Sequence, residues 1–215
     1  MRIAEILVAK GKPPIGNLDN LSDDEQIAAI KQDWRNIRLI SNPSPYVQLS
    51  AVKLKALTIR YINDPTPDAQ LAATKKSARM LTFIRNPTEE ASTAAVKRDG
   101  EAIRYIPNPT EQQTLIAVKN NAKALIYLKN PSDAIKIAAI KHDPLAIRYI
   151  STLSKNVLNA CKNELIKAIL EGIRDGYIKF AAGNPGVLLN AIKDTGWPEL
   201  GIIVRSLKAN NVCKK

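Results

Sequence analysis

The chain has 215 residues, of which 32 are lysine or arginine and 20 are acidic, so its formal net charge at neutral pH is +12. Hydrophobic residues make up 45% of it and aromatic residues only 5%, a mixture that favours closely packed small helices over a sheet. Its two cysteines exclude a disulfide framework, and no apolar run approaches the ~18 residues of a membrane span, so the sequence predicts a cytoplasmic protein without a membrane segment.

The first 20 residues are predicted to form an N-terminal cap. Residues 3–10 have the composition of one short helix, and a loop containing Pro13, Pro14 and Gly16 follows it. The apolar start carries Glu5 and lacks the small-residue cleavage pattern of a signal peptide. We therefore expect residues 1–20 to close one end of the structure that follows.

A 22-residue pattern repeats six times without a gap between residues 21 and 152. Position two of each repeat is serine or threonine, position nine is alanine, position eleven is lysine and position twenty is isoleucine or leucine. Position one is occupied by Leu21, Pro43, Pro65, Pro87, Pro109 and Pro131. The alanines at position nine are Ala29, Ala51, Ala73, Ala95, Ala117 and Ala139. Such agreement predicts stacked units, which bury together a core that no single unit could form.

Each repeat carries the start signals of two helices. Asparagine or aspartate precedes the proline at position one, which predicts an N-cap and a first helix that begins near Pro43, Pro65, Pro87, Pro109 and Pro131. Position thirteen is often aspartate or asparagine, which predicts the cap of a second helix. The predicted fold is therefore all-α, an α-solenoid of tandem 22-residue helix-turn-helix repeats. The runner-up, a compact helical bundle, does not account for the register.

The pattern diverges after residue 152 without vanishing. Ile178-Lys179-Phe180 is similar to Ile103-Arg104-Tyr105 and is likewise followed by an Asn-Pro pair. Residues 153–215 are therefore predicted to form diverged repeats, a seventh unit at about 153–184 and an eighth at about 185–208, with a C-terminal cap.

The repeat from Asn86 to Ile106 resembles the short HEAT-like helical repeats of uncharacterised phage and mobile-element proteins. The phrases that carry this resemblance are Asn-Pro-Thr-Glu-Glu, Ala-Ala-Val-Lys and Ala-Ile-Arg-Tyr-Ile. It covers residues 21–152 and implies a curved helical scaffold, but no catalytic residue and no defined ligand. A phage origin would place the protein in the host cytoplasm.

The lysines at position eleven, which we call the lysine column, are the first candidate for a binding surface. They are Lys31, Lys53, Lys75, Lys97, Lys119 and Lys141. A row of cations at a regular step is suited to a phosphate backbone. Alternatively, each lysine simply complements the dipole at the end of the first helix, although that role would accept arginine as readily.

Basic and aromatic residues stand side by side at positions eighteen and nineteen. The arginine column is Arg38, Arg60, Arg104 and Arg148, interrupted by Thr82 and Ile126. The aromatic column is Tyr61, Phe83, Tyr105, Tyr127 and Tyr149. Single-stranded nucleic acid or a nucleotide base could bind there by phosphate pairing and ring stacking. Alternatively, the rings belong to the core between repeats and the arginines pair with the aspartates at position thirteen.

The acidic residues cluster in the predicted first turns of the first helices, so the positive field should be concentrated elsewhere. Catalytic chemistry is not assembled: the chain has one histidine, His142, no metal-ligand spacing, no nucleophile elbow and no phosphate-binding loop. We therefore predict neither a catalytic residue, nor a metal site, nor a cofactor. Trp34 is expected to plug the end of the first repeat.

The sequence favours a non-enzymatic repeat protein that binds nucleic acid or another polyanion through its lysine and arginine columns, without reading bases. Three alternatives stay open at this point. One is a protein-interaction scaffold, for example a phage factor that acts on a host or defence protein. Another is a binder of small anionic nucleotides, and the last is a helical-repeat nucleic-acid enzyme, which short motifs would miss.

Overall fold

A computed structural model describes residues 16–166, which contain helices and turns and no strand. The chain divides into two compact units, 1–108 and 109–215, and the division falls at a repeat boundary. No helix in the described range is long and apolar enough to cross a membrane. The predicted helix at 3–10, most of the predicted seventh unit and all of the eighth lie outside the described residues.

In the first unit, ten-residue α-helices alternate with six-residue 3₁₀-helices. They are α1 (Asp23–Gln32), η1 (Trp34–Leu39), α2 (Pro45–Leu54), η2 (Ala56–Tyr61), α3 (Pro67–Lys76), η3 (Ala78–Phe83), α4 (Glu89–Arg98) and η4 (Gly100–Tyr105). The second unit contains α5 (Glu111–Asn120), η5 (Ala122–Tyr127), α6 (Asp133–His142), η6 (Pro144–Tyr149) and α7 (Lys155–Ala160). The predicted all-α fold of tandem helical repeats is thereby confirmed.

The predicted N-caps of the α-helices were wrong by two residues. The cap is the serine or threonine at position two, not the asparagine before the proline. In α4, the hydroxyl of Thr88 accepts the backbone N–H of Ala91 at 3.2 Å, and Thr88 has the extended backbone of an N-cap. Thr88 stands three residues before Ala91, whose N–H has no backbone partner within the helix, and this is the spacing that capping requires. Proline does occupy the first helical position in α2 and α3, but as Pro45 and Pro67 at position three.

The caps predicted at position thirteen are confirmed, but the helices that follow them are 3₁₀-helices. The Asp99 carboxylate accepts the backbone N–H of Glu101 at 2.9 Å, and Asp33, Asn121 and Asp143 make the equivalent bond. Asp99 is extended (φ −148°, ψ 111°), so a single non-helical residue separates α4 from η4. Only six residues then remain before the next extended residue, which suits two turns of three residues each.

The core lies between a layer of α-helices and a layer of 3₁₀-helices. Within each unit, successive α-helices contact each other, and so do successive 3₁₀-helices. The alanines at position nine are all buried, as the pattern predicted. Beneath the 3₁₀-helices the aliphatic residue at position seventeen is buried too, for example Ile59 and Leu81. Cys161 takes the place of the alanine in the seventh repeat and is buried as well.

Two buried glutamines at position six fasten one repeat to the next in the first unit. Gln48 donates from Nε2 to the carbonyl of Pro43 at 3.0 Å, and its Oε1 accepts the backbone N–H of Thr66 at 2.8 Å. Gln70 makes the same two bonds one repeat later, with Pro65 at 2.9 Å and Thr88 at 2.8 Å. Each glutamine therefore joins the α-helix start of its own repeat to the N-cap of the next.

Ala95→Leu is expected to destabilise the protein by about 1–3 kcal/mol, because Ala95 is fully buried where α-helices pack and a larger side chain has no space there. The measurement is urea unfolding followed by circular dichroism. Ala94→Leu, at the half-buried neighbouring position, is the control and should cost less. Equal midpoints for Ala95→Leu and the unaltered protein would show that position nine does not form the contact.

Gln70→Met is expected to lower the free energy of unfolding by about 1–3 kcal/mol, because it leaves the N–H of Thr88 and the carbonyl of Pro65 without their partner. Gln26→Met is the matched control. The Nε2 of Gln26 also donates to carbonyls, but its Oε1 is buried without a partner among the described residues. Removing that oxygen offsets part of the loss, so Gln26→Met should be the milder change. The reverse order would contradict the role of Gln70.

Candidate functional site

The lysine column lies in the last turn of the α-helices, and all six side chains are exposed. Successive α-helices of the first unit are in contact, so neighbouring lysines there are separated by about 8–10 Å, the usual distance between packed helices. Five members form no ion pair with a described carboxylate: Lys31, Lys53, Lys75, Lys119 and Lys141. The charge of these five is thus presented to solvent.

A second set of basic residues, at position twelve, binds the ends of the α-helices directly. Arg98 donates from Nη1 to the backbone carbonyl of Lys75 at 3.0 Å, and Lys76 donates to the backbone carbonyl of Lys53 in the same way. The repeat pattern did not reveal this bond, because position twelve is basic with a long side chain only in these two repeats. A backbone carbonyl at the end of α2, and another at the end of α3, is thus bound by the position-twelve residue of the following repeat rather than by a column lysine.

The arginine column lies at the ends of the 3₁₀-helices. Arg38, Arg60 and Arg104 are exposed, and Arg148 belongs to η6. In the first and fourth repeats, the pairing expected between positions thirteen and eighteen is not the one found. Arg104 pairs with Glu101 at 3.5 Å, and Asp33 pairs instead with Arg35, also at 3.5 Å.

The rings of the aromatic column are half-buried, and part of the column is joined to arginines in the first unit. The guanidinium of Arg60 lies 5.1 Å from the ring centroid of Tyr61 and 5.5 Å from that of Phe83, so it is placed between two successive repeats. Both distances are within the range of cation–π attraction. Arg104 makes a separate pair with Tyr105 at 4.7 Å.

Trp34 extends this arrangement, although it was expected to plug the end of the first repeat. Its ring centroid lies 6.1 Å from that of Tyr61 with an interplanar angle of 34°, and the guanidinium of Arg35 lies 5.0 Å from the tryptophan ring. Arg35, Trp34, Tyr61, Arg60 and Phe83 therefore form a continuous series of contacts. We call this set the aromatic–arginine row.

The lysine column and the arginine column lie at opposite ends of the 3₁₀-helices. Six residues at ~2.0 Å per residue place about 12 Å of helix between them. In the first repeat, Trp34 and Arg35 start η1 one residue after the end of α1, so part of the aromatic–arginine row lies beside the first lysine of the lysine column. An open groove of about 530 Å³ is found there, lined by Lys31, Gln32, Asp33, Trp34, Arg35, Leu54 and Lys55.

The acidic residues are confirmed in the first turns of the α-helices. They include Asp23, Asp24 and Glu25 in α1, Glu89 and Glu90 in α4, and Asp133 in α6. A ten-residue helix is about 15 Å long, so carboxylates and column lysines are separated by roughly that distance along each helix. Each charge also stands at the helix end where the dipole favours it.

The described residues offer little to catalysis. No group of three His, Cys, Asp or Glu side chains among them could hold a metal ion. Burial raises the pKa of the Cys161 thiol, and Glu164 adds to the effect, so this thiol stays protonated and a poor nucleophile at neutral pH. His142 is exposed at the end of α6.

Comparisons of this chain with protein-family models, with curated proteins and with solved structures yield no match. The resemblance to phage and mobile-element repeats therefore stays a prediction. What can be said of function comes from the side chains themselves.

Arg98→Met is expected to lower the free energy of unfolding by about 0.5–1.5 kcal/mol, because it removes the hydrogen bond to the carbonyl of Lys75. Lys75→Met removes a cation from the same helix end without removing that bond, so its effect should stay within about 0.5 kcal/mol. Denaturant unfolding of both variants in parallel measures the difference. A larger loss for Lys75→Met would assign the helix-end role to the lysine column.

Proposed function

We propose that the protein is a non-enzymatic, cytoplasmic helical-repeat protein that binds nucleic acid or a similar polyanion through its lysine column. One observation carries the proposal. Lysine occupies position eleven in all six repeats, and every one of these side chains is exposed. At the ends of α2 and α3, Lys76 and Arg98 bind the backbone carbonyls, so the column lysines Lys53 and Lys75 are not needed for that bond.

The spacing of the column in the first unit suits a phosphate backbone. The step of about 8–10 Å between packed helices is close to three nucleotides at ~3.4 Å each, the rise of a strand whose bases are stacked. One lysine would then meet a phosphate about every third nucleotide. Such contacts position a strand without reading its sequence, so affinity should be similar for different base compositions.

The charge distribution supports the same partner. The acids stand at the opposite ends of the α-helices from the lysines, so the net charge of +12 understates the positive potential at the lysine column. A surface of this kind steers anionic ligands and raises their association rate. An acidic protein would be attracted too, and the experiment below separates that partner from nucleic acid.

Replacing Lys31, Lys53 and Lys75 together with glutamine is expected to weaken binding of all nucleic-acid sequences alike. Each phosphate contact releases condensed counterions, so the slope of log affinity against log salt should flatten by roughly two to three units. The measurement is fluorescence anisotropy of labelled oligonucleotides over a salt series from about 50 mM upwards. Folding should change little, because no hydrogen bond with a described residue is lost from these side chains.

The matched control replaces Lys123, Lys129 and Lys155 with glutamine, which lowers the net charge by the same amount at exposed positions outside the column. This control should leave the salt slope nearly unchanged. Equal flattening by both triple variants would mean that total charge, not the column, sets affinity. If the unaltered protein binds neither RNA nor DNA at low salt, nucleic acid is not the ligand and an acidic protein partner becomes the better proposal.

A further inference from the structure

The aromatic–arginine row has the composition and geometry of a stacking site. Trp34 and Tyr61 stand 6.1 Å apart, and Arg60 lies 5.1 Å from Tyr61 and 5.5 Å from Phe83. The three rings are half-buried, and the side chain of Arg35 is 58% exposed. Both arginines and part of each ring are therefore accessible to a ligand.

We propose that this row stacks on unpaired bases, so that the ligand is a single-stranded rather than a double-stranded nucleic acid. The inference rests on the proposed function, because it specifies which nucleic acid the basic surface takes. In a duplex, the faces of the bases are covered by their neighbours, and only a single strand offers them to a protein ring. Stacking on aromatic side chains is tolerant of sequence, because every base has a π-face.

The largest fully buried side chains beneath the 3₁₀-helices are aliphatic rather than aromatic. The aliphatic residues at positions seventeen and twenty already fill the space beneath the 3₁₀-helices, and Ile59, Ile62 and Leu81 are buried. Trp34 departs furthest from the repeat pattern. The same position holds Ala56, Ala78, Gly100, Ala122 and Pro144 in the other repeats. A large ring is thus present where the fold elsewhere accepts a small residue.

The groove beside Trp34 supplies space for the sugar and phosphate of a stacked nucleotide. Its volume of about 530 Å³ falls within the ~300–1,000 Å³ range of small-ligand sites. Lys31, Arg35 and Lys55 line it, so three cations stand next to the ring. A base on Trp34 would therefore have its phosphate close to the first member of the lysine column.

The test compares a 15-nucleotide single strand with a duplex of the same length, by anisotropy at low salt. The double variant Trp34→Leu, Tyr61→Leu keeps apolar bulk and removes two π-faces. Since stacking contributes ~1–3 kcal/mol per base, single-strand affinity should fall at least about ten-fold, while duplex affinity changes less than two-fold. Tyr105→Leu is the matched control, because Tyr105 pairs with Arg104 outside the row, and it should change neither affinity by more than two-fold.

A spectroscopic measurement avoids dependence on a variant that loses packing. Single strands should quench the emission of Trp34 in a Trp197→Phe variant, in which Trp34 is the only tryptophan of the chain. Trp34→Phe, which keeps an aromatic ring at that position, should retain binding. Duplex should quench less. Unchanged Trp34 emission when single strands bind the Trp197→Phe variant, or equal losses of single-strand and duplex affinity in the double variant Trp34→Leu, Tyr61→Leu, would overturn the stacking site. Binding to single strands and duplex alike by both parent and double variant would refute this inference alone, whereas binding to neither by the parent would refute the proposed function as well.

Discussion

The close approach of α-helices at position nine is the contact on which the rest of the structure depends. The buried alanine has little side-chain bulk, so successive helices within a unit can approach closely where they are in contact. Because the repeat has no insertions between residues 21 and 152, residues at the same position then stand side by side in successive repeats of each unit. A property of one repeat, such as a lysine at the helix end, becomes a property of a whole surface.

Features that recur with a period of 22 residues could be predicted, because the same residue type appears at the same position in several repeats. The buried alanines, the exposed lysines, the acids of the first turns and the caps at position thirteen all follow from the register. The α-helix start was misplaced because two neighbouring signals compete. Asn86-Pro87 and Thr88 are both plausible caps, and only the hydroxyl of Thr88 stands at the capping distance from Ala91.

Contacts between particular residues of neighbouring repeats were not predicted from the sequence. Gln70 looks like one of several polar residues at position six, yet its two bonds to Pro65 and Thr88 require the next repeat to be in place. Trp34 lies outside every column, so nothing in the register connects it with Tyr61, 27 positions later in the chain. Such contacts are set by packing between repeats, and a periodic pattern does not contain that information.

Repetition alone does not show that a surface residue has a function, because duplication of a unit copies every residue in it. The lysine column and the arginine column differ in how much the residue varies from one repeat to the next. Position eighteen is exposed in the first five repeats and has diverged to Thr82 and Ile126, whereas position eleven, equally exposed, is lysine in all six repeats. Packing does not hold an exposed side chain constant, and the helix dipole would accept arginine as readily. The uniform lysine at an exposed position is the reason for proposing a partner with evenly spaced negative charges.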